Sequence, residues 1–87
     1  MSEENPRTYW LQVGDEAIKQ ATELLKRVEG LGYRRVAGHL RGTLATARGT
    51  VTYLRSHGLD DGFEQSDIQD LIDLVKADSE MLTSVKR

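Results

Sequence analysis

Residues 33–56 read YRRVAGHLRGTLATARGTVTYLRS. Here Tyr33, Ala37, Leu40, Leu44, Ala47, Val51 and Leu54 alternate at steps of four and three, the spacing that places apolar side chains on one face of an α-helix. No run of alternating β-branched residues competes with it. The stretch predicts a helix over about 33–56, about 36 Å long at the α-helical rise. Nearly opposite the apolar seam lies a stripe of small residues, Gly38, Gly42, Ala45, Gly49 and Thr52. Each glycine costs a helix roughly 0.5–1 kcal/mol relative to alanine, so three in one helix call for a compensating close approach by a neighbouring backbone. The same segment carries a weak internal repeat, Leu40-Arg41-Gly42-Thr43 against Ala47-Arg48-Gly49-Thr50.

A third pattern runs beside the apolar seam. Arg34, Arg41, Arg48 and Arg55 stand seven residues apart, and no Asp or Glu occurs from Gly30 to Leu59. Seven residues is close to two helical turns, so the guanidinium groups form one column. That is the edge position from which charges reach an adjacent helix in a coiled coil.

The segments on either side also read as helices. Asn5 followed by Pro6 is an N-cap with proline at the first helical position, and Gly30 and Gly32 are the stop. The expected apolar face over 6–29 is Leu11, Ile18, Leu25 and Val28, completed by Gly14 and Ala21 and widened by Trp10, Ala17 and Leu24. The Gly14-Asp15-Glu16 step is a candidate kink, and Lys26 and Arg27 suit the last turn. Gly58 and the loop Leu59-Asp60-Asp61-Gly62 lead to a third helix over 66–85, with Ser66 and Gln69 spaced as a capping box. Its apolar face is Ile68, Leu71, Ile72, Val75, Leu82 and Val85, flanked by Leu74 and Met81, and Lys86 and Arg87 suit its end. The reading is an all-α, antiparallel three-helix bundle in one domain, residues 1–87.

From Asp60 to Met81 the chain carries eight acids against Lys76 alone. Asp78 stands inside the apolar face, where a carboxylate needs a partner or an edge, and Asp67 lies on the same flank. Asp67 and Asp78 are therefore the expected intramolecular salt-bridge partners of the arginine column. Pairs of this kind set helix order more than they stabilise.

A chain of 87 residues buries a modest fraction of its surface. With no cysteine it has no disulfide or thiolate metal site. Helix packing or oligomerisation is the remaining support, and a homodimer would cover the second face of the long helix. The net charge of −2 predicts neither nucleic-acid nor membrane binding. No segment reaches the ~20 apolar residues of a membrane span. The acidic start, Glu3 and Glu4, is not followed by the apolar run of a signal peptide. A cytoplasmic location is expected.

No nucleophile–base pair, phosphate loop or acid cluster is visible, so neither catalytic residues nor a cofactor nor a metal is expected. His39 and His57 are eighteen residues apart on one helix, too far to share a metal, and His57 suits the carbonyls ending its own helix. The run His39-Leu40-Arg41-Gly42-Thr43 is similar to the His-x-x-Lys-Gly pattern of histidine-phosphotransfer domains, helical bundles with an exposed phosphate-accepting His. It is one residue short, so Arg41 points away from His39 while Arg35 and Gly42 lie one turn from it. The resemblance implies a phosphate-accepting role for His39. The leading expectation is a small non-enzymatic module (a regulator, adaptor or inhibitor) binding a protein partner, with homodimerisation. Its candidate contacts are Arg34, Arg41, Arg48, Arg55, Tyr9 and Trp10, the two aromatics serving as interface anchors or as a lid on the core. The alternative is a nucleic-acid binder gripping phosphates with the arginine column, although no recognised nucleic-acid-binding signature accompanies it.

Overall fold

The computed structural model describes residues 5–85 as three helices, α1 (Pro6–Gly30), α2 (Arg34–His57) and α3 (Gln65–Val85). Glu3, Glu4, Lys86, Arg87 and the side chain of Val85 lie outside the described residues. Among the described residues there is no strand.

The ends of α1 follow from its sequence. Asn5 Oδ1 accepts the Arg7 amide at 2.8 Å, and Pro6 at the first position has no amide to leave unsatisfied. At the other end Gly32 takes φ +80°. The Tyr33 amide then reaches the Val28 carbonyl at 3.0 Å and the Gly32 amide reaches Glu29 at 3.1 Å. This is the paired closure of a Schellman motif, which needs glycine at the left-handed position. Between these ends the helix runs unbroken through Gly14-Asp15-Glu16.

α2 starts after Tyr33, which makes no side-chain capping bond, and stops at Gly58, where φ is +83°. α3 starts at Gln65, so Ser66 falls inside the helix and the expected capping box does not form. The Gln69 amide instead donates to Asp73 Oδ1 at 3.1 Å.

All three pairs of helices are in contact. The α2 seam is buried as read, from Ala37 through Leu54, with Tyr33 half-buried. α1 is turned relative to expectation. Its buried line is Gly14, Ala17, Ala21, Leu24 and Val28, while Leu11, Ile18 and Leu25 are only half-buried. Small residues at the helix contact allow close approach, and they move the leucines to the flank. A β-carbon built on Gly14 would come within 2.7 Å of Val51 Cγ2 and 3.4 Å of Ile68 Cδ1, so the three helices converge at Gly14. The apolar driving force comes chiefly from Val28, Leu40, Val51, Leu54, Ile68 and Leu71, the largest fully buried side chains, each worth about 1.5–3 kcal/mol. The radius of gyration is 14.3 Å against ~12 Å for a compact chain of this length. The molecule is elongated, and α2 presents a long outward face.

Candidate interaction face on the second helix

The arginine column is intact, but it faces α1. Arg55 Nη2 bonds Asp15 Oδ2 at 2.5 Å, and Arg41 Nη2 bonds Glu29 Oε2 at 2.5 Å. Between them Arg48 Nη2 donates to Thr22 Oγ1 at 3.4 Å. Arg7 completes the row from the other side. Its Nε and Nη2 donate to the carbonyls of Leu54 and Arg55, at 3.4 and 3.1 Å. Both are last-turn carbonyls, that of Leu54 also accepting the Gly58 amide at 2.9 Å, and a cation there complements the dipole. The partners step down α2, from 55 through 48 to 41, as they step up α1, from 15 through 22 to 29. Arg34 lies with Arg41, Tyr33 and Glu29 around an open groove of about 480 Å³ at the α1–α2 turn.

The expected pairing with α3 is therefore corrected. Among the described residues neither Asp67 nor Asp78 forms an ion pair with the column. Asp67 Oδ2 accepts the hydroxyl of Thr50 at 2.6 Å, and Thr50 is the buried polar residue of α2. The physical reason is handedness round α2. The arginines flank the seam on the side toward α1, whereas Thr43 and Thr50 flank it toward α3. Asp78 sits half-buried in the α3 seam with Oδ2 shut off from solvent and without a hydrogen-bond partner among the described residues. Burial holds its carboxyl above the ordinary carboxylate range, and the nearby charge of His39 opposes that shift.

The small-residue stripe is open. Among the described residues nothing lies within 4 Å of a β-carbon built on Gly38, Gly42 or Gly49, and Ala45 and Thr52 are exposed. Among the described residues the close backbone approach expected for these glycines is absent, and the tight contact lies instead at Gly14, against the side chains of Val51 and Ile68. Along one edge of this flat strip run arginines that keep more than half of their side-chain surface in solvent, 58% for Arg41 and 53% for Arg55.

No protein-family model, curated protein or solved structure matches the chain.

The other sequence candidates lie elsewhere. Trp10 is half-buried and packs on Phe63 of the α2–α3 loop, with ring centroids 6.2 Å apart. Tyr9 stands edge-on to Trp10 and is 43% exposed. His57 stacks on Tyr53 at 4.4 Å, while Arg7 takes the carbonyls expected to engage it. His39 is exposed and lines an open groove of about 460 Å³ between α2 and α3, whose lining also includes Asp67, Asp70 and Asp73 and no Lys or Arg. Among the described residues no three His, Asp or Glu side chains are grouped to hold a metal, and no helix is long and apolar enough to cross a membrane.

Two features carried no sequence signal. An arginine in the first turn of a helix opposes that helix's own dipole, and only the tertiary fold shows that Arg7 serves α2. The loop clasp is the other. Tyr53 donates its hydroxyl to Asp60 Oδ1 at 2.6 Å, and the same oxygen accepts the Gly62 amide at 2.9 Å. The bond raises the Tyr53 hydroxyl above its ordinary pKa, and the same bond, with the Gly62 amide, lowers the Asp60 carboxyl.

Proposed function

We propose that this chain is a small non-enzymatic interaction module, a regulator, adaptor or inhibitor, that binds a protein partner on the outer face of α2. Its helices run antiparallel to their sequence neighbours, as the stepwise partners of α1 and α2 support. It works in the cytoplasm, as a homodimer in its simplest assembly. The observation that carries this reading is the set of three glycines, Gly38, Gly42 and Gly49, along a long helix, with none of the described residues packed over them. Each weakens the helix by roughly 0.5–1 kcal/mol and nothing among the described residues compensates. A backbone packed on that strip from outside would. Gly42→Leu tests it, because leucine strengthens the isolated helix and fills the strip. Wild-type chain captures its partner and Gly42→Leu does not. Equal capture by both, or by neither, removes the reading.

The exposed arginine edge favours a second reading, a nucleic-acid binder. Here affinity falls steeply with salt, and charge reversal at Arg41 and Arg48 abolishes binding while Gly42→Leu leaves it unchanged. A duplex that fails to bind at low salt rules this out.

A further inference from the structure

The arginine column turns toward α1, and among the described residues none of its arginines forms an ion pair with an acid of α3. Asp73 and Glu80 are exposed, and among the described residues neither forms an ion pair; Asp73 accepts only the neutral amide of Gln69. They stand seven residues apart with the exposed Ala77 between them, four after Asp73 and three before Glu80. The outer edge of α2 repeats that spacing in the opposite charge: Arg41 and Arg48 bracket the exposed Ala45 at the same four and three. Each helix thus shows an alanine between two like charges one heptad apart, about 10.5 Å along the axis. α2 carries five arginines and no acid, so α2 against α2 would bring like charges together. α3 against α2 brings opposite charges together at matched spacing, over glycines that allow two backbones close approach.

We infer that the occupant of the α2 face is α3 of a second copy of this chain, with Asp73 and Glu80 of one copy set against Arg41 and Arg48 of the other and Ala77 seated on the strip beside Ala45. This rests on the proposed use of the α2 face as a docking surface and names what fills it. Lys76, also exposed on α3, is the one cation in this acidic stretch and lies beside the ridge.

The absence of cysteine makes disulfide trapping free of background. Ala45→Cys chain and Ala77→Cys chain are mixed at tens of micromolar under a mild oxidant, and the products are weighed. The mixed disulfide is expected to exceed both self-disulfides several-fold. Arg41→Glu is expected to weaken self-association about tenfold or more, with recovery when it is mixed with Asp73→Arg chain. A dominant Ala45→Cys self-disulfide overturns the inference and assigns the dimer to like helices. Wild-type chain that stays monomeric at these concentrations also overturns it. The docking reading then stands or falls separately, on whether Gly42→Leu loses a captured partner.

Discussion

Gly14 lies directly under Val51: a methyl group in place of its hydrogen would come within 2.7 Å of Val51 Cγ2. Valine has one strongly preferred rotamer in a helix and little room to yield. Gly14→Ala is therefore expected to destabilise the fold by about 1–2 kcal/mol, since overpacking costs about 1–3 kcal/mol and the better helix former returns at most about 1 kcal/mol. Gly42→Ala should do the reverse in the dissociated chain, gaining roughly 0.5–1 kcal/mol. Urea unfolding of the two variants at low concentration checks the contrast. Equal signs would show that the helices do not converge at Gly14.

The arginine column couples to α1 and not to α3. A double-mutant cycle on Arg41 and Glu29 is expected to give about 0.2–1 kcal/mol, the range for exposed ion pairs. A cycle on Arg48 and Asp67 should give near zero, within the ~0.3–0.5 kcal/mol scatter of independent sites. A reversed order would restore the α2–α3 pairing that the sequence alone suggested.

Asp78 is expected to make stability rise on mild acidification. Its folded carboxyl holds the proton at higher pH than the unfolded one, mainly because it is buried. As pH falls through the raised value toward the unfolded value of about 3.9, the folded state takes up the proton first and its burden is relieved. Asp78→Asn should thus gain most over wild type near neutrality, with the gap closing in acid. A gap that widens in acid would mean that Asp78 is stabilised as a carboxylate by a cation. The measurement is urea unfolding of both chains across pH.

The α2–α3 loop should loosen when Tyr53 loses its hydroxyl. In Tyr53→Phe the Gly62 amide keeps its bond to Asp60 but loses the clasp, and its hydrogen exchange should quicken. The contribution of the Asp60 carboxylate is present above its ordinary pKa and is lost as pH falls through its lowered one. That of the Tyr53 hydroxyl is present below its ordinary value and is lost as pH rises through its raised one. Exchange at Gly62 unchanged by the substitution would show that the bond does not order the loop.

Much of this architecture is legible in the residues. The four-three seam of α2, the Asn5-Pro6 start and the glycines at 32 and 58 act locally, through periodicity and φ, and each lies where the sequence put it. The column of arginines is also local, a matter of helical pitch. Its partners are not. Choosing between α1 and α3 depends on which flank of the seam the arginines occupy once the bundle's hand is set, and that hand is a tertiary property. The same applies to α1, where Leu11, Ile18 and Leu25 outweigh Gly14, Ala17 and Ala21 in hydrophobicity but yield the centre to them because small residues let the helices close. The glycines at 38, 42 and 49 signalled a close approach, and the described residues do not supply it. Arg7 capping α2 across the bundle, like the clasp between Tyr53 and Asp60, leaves no trace in local pattern.

If the face over Gly42 is a docking surface for a second copy, folding and association are linked, and the melting temperature of the wild-type chain rises with protein concentration. Melting curves taken from low to high micromolar should show that rise in the wild type and its absence in Gly42→Leu, which should melt at one temperature throughout. A wild-type melting temperature that does not move with concentration would contradict self-association through α2.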